Sequence, residues 1–110
     1  MVSGPRLLGA QEVILRLTPA AEADVEGVLG WYRERGHDLG DQFLHALDQC
    51  LEAVERNPLA FAIVHRDMRR ALLRRFPYCV FYIMSEREIV VLGCLHGHRD
   101  PETWKSRRDA

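Results

Sequence analysis

The sequence predicts an α+β domain in the order β-α-α-β-β-β with a short C-terminal helix. A helical hairpin should pack on one face of a small twisted antiparallel sheet. Three observations lead there. Apolar residues recur at helical spacing from Ala21 to Tyr32 and again from Phe43 to Val54. Two apolar runs follow later, YCVFYIM and IVVLGCL, parted by the polar Ser85-Glu86-Arg87-Glu88. The links between the helices and between the late strands are short, so sequence neighbours should run antiparallel.

Residues 1–11 show no period and read as a leader of disordered character before a single domain over residues 12–107. EVILRL, Glu12 to Leu17, reads as the first strand. Thr18-Pro19 then supplies an N-cap and a first helical proline. Ala21, Val25, Val28, Leu29 and Tyr32 form the buried stripe of this helix, which Gly36 closes. A second helix begins near Leu39, carries Phe43, Leu47, Cys50, Leu51 and Val54 on one face, and stops at Asn57-Pro58. Met68 to Phe76 reads as a strand ended by Pro77, Tyr78 to Met84 as the next, and Ile89 to Leu95 as the last. Asp100-Pro101-Glu102 looks like the cap and first turn of a helix holding Trp104.

Both late strands are apolar on both faces. Cys79, Phe81 and Ile83 point one way; Tyr78, Val80, Tyr82 and Met84 point the other. Two helices are about 20 Å wide and cover one face of four strands, each about 4.8 Å from the next. The second face should then be an uncovered apolar patch, the mark of a binding surface. The alternative is that residues 1–11 or the terminal helix fold across it.

At 110 residues, 47% hydrophobic and 28% charged, the chain suits one small globular domain. The net charge of −1 conceals an acidic first part and a basic second part. Residues 1–60 carry 5 Lys/Arg against 10 Asp/Glu, and residues 61–110 carry 10 against 6. The basic part is a candidate surface for an acidic partner or nucleic acid, set against the plainer reading of a solvated face. No run approaches the roughly 20 apolar residues of a membrane span, and no signal peptide is evident. Cys50, Cys79 and Cys94 are widely spaced within apolar stretches. They read as reduced buried thiols of a cytoplasmic protein.

Two constellations could carry function. RRALLRRF, Arg69 to Phe76, places Arg70 and Arg74 on one face of an extended strand and Arg69 and Arg75 on the other. Such arginines can grip carboxylates or phosphates, or simply guard an edge strand. LHGHRDPETW holds His96, His98, Arg99 and Trp104. Two histidines are too few for a metal site, and His37, His45 and His65 are scattered, so neither metal nor cofactor is expected. A catalytic reading would use His98 for proton transfer and Arg99 to stabilise charge. No P-loop, GxSxG, HExxH or GxGxxG is present.

The first strand, TPAAEADV at Thr18 to Val25, the hairpin ending in Asn57-Pro58, RRALLRRFPYCVFYI and VVLGCLHGHRDPETW together resemble the RelE/ParE family of toxins from type II toxin–antitoxin modules. The resemblance spans about Val13 to Trp104. It implies a small toxin, a cognate antitoxin that wraps it, a role such as plasmid stabilisation, and contact with DNA only through the antitoxin. RelE-like members cut ribosome-bound mRNA. ParE-like members act on DNA gyrase by protein–protein contact. The mRNA-cutting pattern has an arginine after the tyrosine of the middle strand and a tyrosine in the terminal segment. This chain has Cys79 after Tyr78, and Trp104 and Lys105 in the terminal segment; Arg99 alone matches. The resemblance therefore favours a ParE-like gyrase inhibitor that is not an enzyme. The alternative is an mRNA interferase, an endoribonuclease using Arg99 and His98. On the favoured reading Arg69, Arg70, Arg74, Arg75, Tyr78, Val80 and Tyr82, or the opposite set of the strand, meet the antitoxin. His96, His98, Arg99 and Trp104 then meet the target.

Overall fold

A computed structural model describes residues 6–8 and 13–110. A six-stranded sheet has the order β1-β2-β6-β5-β4-β3. Its strands are β1 (Arg6–Leu8), β2 (Val13–Leu17), β3 (Ile63–His65), β4 (Met68–Leu72), β5 (Tyr78–Ser85) and β6 (Glu88–His96). The helices are α1 (Pro19–Arg33), α2 (His37–Arg56) and α3 (Pro101–Asp109).

The start of α1 follows from the Thr18-Pro19 pair: Thr18 Oγ1 accepts from the Ala21 N–H at 3.1 Å. Ala21, Val25 and Leu29 of α1 and Phe43, Leu47, Leu51 and Val54 of α2 bury against one sheet face. There they meet Leu15, Leu17, Val80, Tyr82, Ile89, Val91 and Cys94. Each large apolar side chain buried this fully contributes about 1.5–3 kcal/mol. The hairpin is tight because Gly40 lets the helices approach: a Cβ there would stand 2.7 Å from Arg33 Cγ.

The α+β class and the hairpin over one face are as the sequence indicates. Three features differ. The β2–β6 pair is parallel, with Leu15 opposite Ile89, so the sheet is mixed. The β4–β5 and β5–β6 pairs are both antiparallel, so β6 runs like β4, and β2, separated from β4 by the two-helix hairpin, runs in that same direction beside β6. Second, β1 and β3 are additional short edge strands. Arg6–Leu8 lie within the stretch read as a leader, yet pair antiparallel with Val13, Ile14 and Leu15; the remaining residues of 1–11 lie outside the described residues. Third, the strand expected from Met68 to Phe76 ends at Leu72. Arg75 adopts φ 71 in the turn that follows, and Phe76 folds back into the core.

The second sheet face is not left open. Met68, Cys79, Phe81 and Leu95 form a smaller cluster there, closed by Trp104 of α3. The Trp104 ring stacks on Phe81 at 5.2 Å between centroids and an interplanar angle of 13°. Of the two occupants the sequence left open, the terminal helix covers this part of the face. Asp100 caps α3, accepting from the Glu102 N–H at 3.1 Å. Ion pairs fasten its far end to the β3–β4 turn, Arg108 to Asp67 at 2.6 Å and Arg66 to Asp109 at 2.8 Å, and His65 Nε2 lies within hydrogen-bond distance of Asp109 at 3.1 Å.

Candidate functional site

Two clusters of functional residues emerge, side by side at the end of the sheet where β6 finishes and β5 begins, with Tyr78 paired to His96. The first is the corner where β6 leaves the sheet. Its position depends on a break in register. Phe81 pairs with Gly93 but Tyr82 pairs with Val91, so Leu92 is an extra residue, a β-bulge. The bulge reverses the facing of the strand end. Val91 and Cys94 both face the helices, while Leu95 joins the Trp104 cluster.

Strand β2 ends before this bulge, and the Thr18 N–H donates to the Val91 carbonyl at 3.0 Å as the last such bond. Beyond it the free edge of β6 is completed by side chains. The Cys94 N–H donates to Asp24 Oδ2 at 3.0 Å, and Arg107 Nη1 donates to the Leu92 carbonyl at 3.0 Å. Asp24 of α1 and Arg107 of α3 also bind each other twice, at 2.7 and 2.9 Å. This pair fills the place that a longer β2 would take. Gly93 leaves room for it: a Cβ there would lie 2.9 Å from Arg107 Nη1 and 3.2 Å from Asp24 Oδ2.

Next to this pair a hollow of about 280 Å³ is bordered by Asp24, Tyr78, His96 and Arg99. Tyr78 is half-buried, with its ring edge-on to His96 at 5.3 Å and to Tyr32 at 6.3 Å. Burial, then the neighbouring Tyr78, pushes the Tyr32 hydroxyl above its usual pKa. His96 Nδ1 accepts the His98 N–H at 3.1 Å, so neutral His96 carries its ring proton on Nε2. The Gly97 N–H donates to the Pro77 carbonyl at 2.8 Å and ties the corner to the β4–β5 loop. His98 and Arg99 are exposed. The structure thus brings Tyr78, His96 and Arg99 around one hollow and leaves His98 outside it. Trp104 is buried on the other face, 8% exposed, and is not available there as a contact for a target.

The second cluster is the β4–β5 loop. Phe76 anchors it, packing on Tyr32 at 5.1 Å and Phe43 at 5.7 Å. Arg74 and Arg75 consequently face solvent, as does Arg70. Arg69 differs: it donates to the carbonyls of Phe61 at 2.6 Å and Leu59 at 3.2 Å, holding the segment before β3. Val80 and Tyr82 lie at 0% exposure under the helices. The Tyr82 hydroxyl donates to the Pro58 carbonyl at 2.5 Å, and burial pushes its pKa to about 12. As folded, neither side chain can line a groove. The opposite set is covered as well, with Cys79 and Phe81 buried under α3. Cys79 carries no fixed charge. Burial raises its thiol pKa, against a lowering influence of Arg70, whose guanidinium charge therefore stands nearby.

Sequence reasoning missed Asp24 and Arg107. The only signal for them was Gly93 inside an apolar strand, a usual sign of a bulge or a close approach. Among the described residues no three metal-ligating side chains come together, and no helix is long and apolar enough to cross a membrane. All three cysteines are free and buried.

A family model described as the ParE toxin of the type II toxin–antitoxin system, parDE, matches residues 15–101. A search of curated proteins finds no match. Among solved structures, a chain from "Chromosomal ParDE TA system from P. aeruginosa" superposes with a TM-score of 0.68. It is 16% identical, and the match covers 79% of this chain and 98% of that one. At that identity the likeness concerns the fold alone.

Proposed function

The chain belongs to the ParE toxin family of type II toxin–antitoxin systems, and from that premise we propose that it is a growth inhibitor acting on DNA gyrase by protein–protein contact. A cognate antitoxin holds it inactive through the exposed Arg70, Arg74 and Arg75, with acidic side chains facing them. The exposed corner around His96, His98 and Arg99 meets the target. Neutralised in this way, the toxin resides in the cytoplasm and reaches DNA only through its antitoxin.

One observation carries the choice of a non-enzymatic mode. The position after Tyr78 holds a buried thiol, and the terminal segment offers a buried Trp104. Neither group can supply a fixed charge or exchange a proton at the corner. A second reading, ribosome-dependent mRNA cleavage, draws support from Tyr78, His96 and Arg99 bordering one hollow, with His98 exposed next to Arg99.

Purified toxin, freed of antitoxin, is assayed in parallel for inhibition of gyrase supercoiling and for cleavage of ribosome-bound mRNA. Gyrase inhibition lost in Arg99→Ala, with no cleavage by the parent, is the expected result. Ribosome-dependent cuts abolished by Arg99→Ala would overturn the gyrase reading in favour of the nuclease.

A further inference from the structure

We propose that the outer edge of β4 at Leu72, with the groove between it and α2, is a docking track for an extended acidic segment of the antitoxin. The proposal rests on the antitoxin reading above and assigns it a place.

Three independent observations converge. The first is an unfinished sheet edge. β3 pairs with β4 only through Ile63 opposite Arg69 and His65 opposite Met68, and the last bond of this ladder runs from the Arg70 N–H to the Ala62 carbonyl at 3.1 Å. Outward-facing backbone groups recur at every second residue. The next set belongs to Leu72, and among the described residues no strand lies beside it. The second observation is Leu72 itself. Its side chain is 66% exposed, the most exposed of the large apolar side chains in the described chain. The third is a groove of about 430 Å³ running from Leu72 to α2, with Ala46, Ala53 and Phe61 among its apolar lining.

Charge selects the occupant. Arg56 and Arg74 border the groove and are exposed; Arg70 and Arg75 are exposed nearby; Glu52 is the one carboxylate on the rim. A strand added here continues the line of β3, pairs its backbone with Leu72, places an apolar side chain in the groove and sets carboxylates against the guanidinium groups. A basic or neutral strand would lack that last set of contacts. The same arginines discourage edge-to-edge pairing between copies of the toxin, so the edge remains free for its acidic partner.

The probe is the protein encoded by the reading frame adjacent to this one, mixed with full-length toxin. Binding is measured by titration, and hydrogen exchange is followed at the Leu72 amide. Leu72→Glu and Arg74→Glu both alter exposed side chains, and unchanged urea midpoints confirm that the variants fold. The expected result is slowed exchange at Leu72 in the complex. Each variant should bind about 30-fold more weakly, the scale of losing an interface hot spot of about 2 kcal/mol. A complex that forms with unchanged affinity in both variants and an unprotected Leu72 overturns the edge proposal and leaves the antitoxin reading standing. If no complex forms with the parent protein, the antitoxin reading fails, and the docking track with it.

Discussion

Replacing Asp24 by Ala tests how the corner is built. Three hydrogen bonds end on this carboxylate: two from Arg107 at 2.7 and 2.9 Å and one from the Cys94 N–H at 3.0 Å. The pair is partly screened, with side chains 24% exposed for Arg107 and 14% for Asp24. Removing one partner of a fully buried pair costs about 3–5 kcal/mol, mostly because the other group is left unpaired. Partial exposure lowers this, because Arg107 can turn to solvent; the buried Cys94 N–H cannot. A loss of about 2–3 kcal/mol follows, a large share of the roughly 5–15 kcal/mol that stabilises a domain of this kind. Arg107→Ala should cost about 2 kcal/mol, since the Leu92 carbonyl loses its donor as well. Urea unfolding followed by circular dichroism measures both variants and the double variant. The double variant should be less destabilised than the sum by about 1–2 kcal/mol, because the same bonds are removed twice. Additivity within about 0.5 kcal/mol, or a loss below about 1 kcal/mol for Asp24→Ala, would refute the view that this pair completes the sheet edge.

Four further outcomes are expected. Trp104→Ala removes the stacked ring over Phe81 and should cost about 3 kcal/mol by thermal or urea unfolding, with exchange of α3 amides accelerated before global unfolding. Tyr82→Phe leaves the Pro58 carbonyl without its donor and should cost about 1 kcal/mol, with α2 intact by circular dichroism. Hydrogen bonds from His65 and then Arg66 lower the Asp109 pKa, and a bond from Arg108 lowers that of Asp67. A lowered folded pKa gives stability that is present above the ordinary carboxylate range and lost as pH falls through the folded value. Amides at the end of α3 should therefore lose protection below about pH 4, and lose part of it in 1 M salt at neutral pH, where exposed pairs are screened. Burial pushes the thiols of Cys50 and Cys94 to about 12. Iodoacetamide at pH 8 should leave both unmodified in the folded protein and react after urea is added, as mass spectrometry will show.

Much of the fold can be read from local pattern. Thr18-Pro19, Asn57-Pro58 and Asp100-Pro101 mark helix ends because capping and proline geometry act within one turn of chain. The stripes of α1 and α2 and the two apolar strands show in the spacing alone. The site was harder to read. Arg69 and Arg70 are adjacent and alike in sequence, yet one holds two carbonyls while the other faces solvent. Val80 and Tyr82 looked like a groove because alternation tells which residues share a face, not what covers it. Trp104 looked like a contact residue because nothing local shows that its helix folds back over Phe81.

The sequence by itself determined the three helices and the four longer strands, their order, the helical hairpin and the family resemblance, since each depends on chemistry repeated over a few residues. Only the tertiary structure decided the parallel β2–β6 pair, the cover of α3 and the Asp24–Arg107 bridge over Gly93. Those depend on contacts between residues as far apart as positions 24 and 107. Such contacts form only when burial of both sheet faces offsets the entropy of ordering the chain between them.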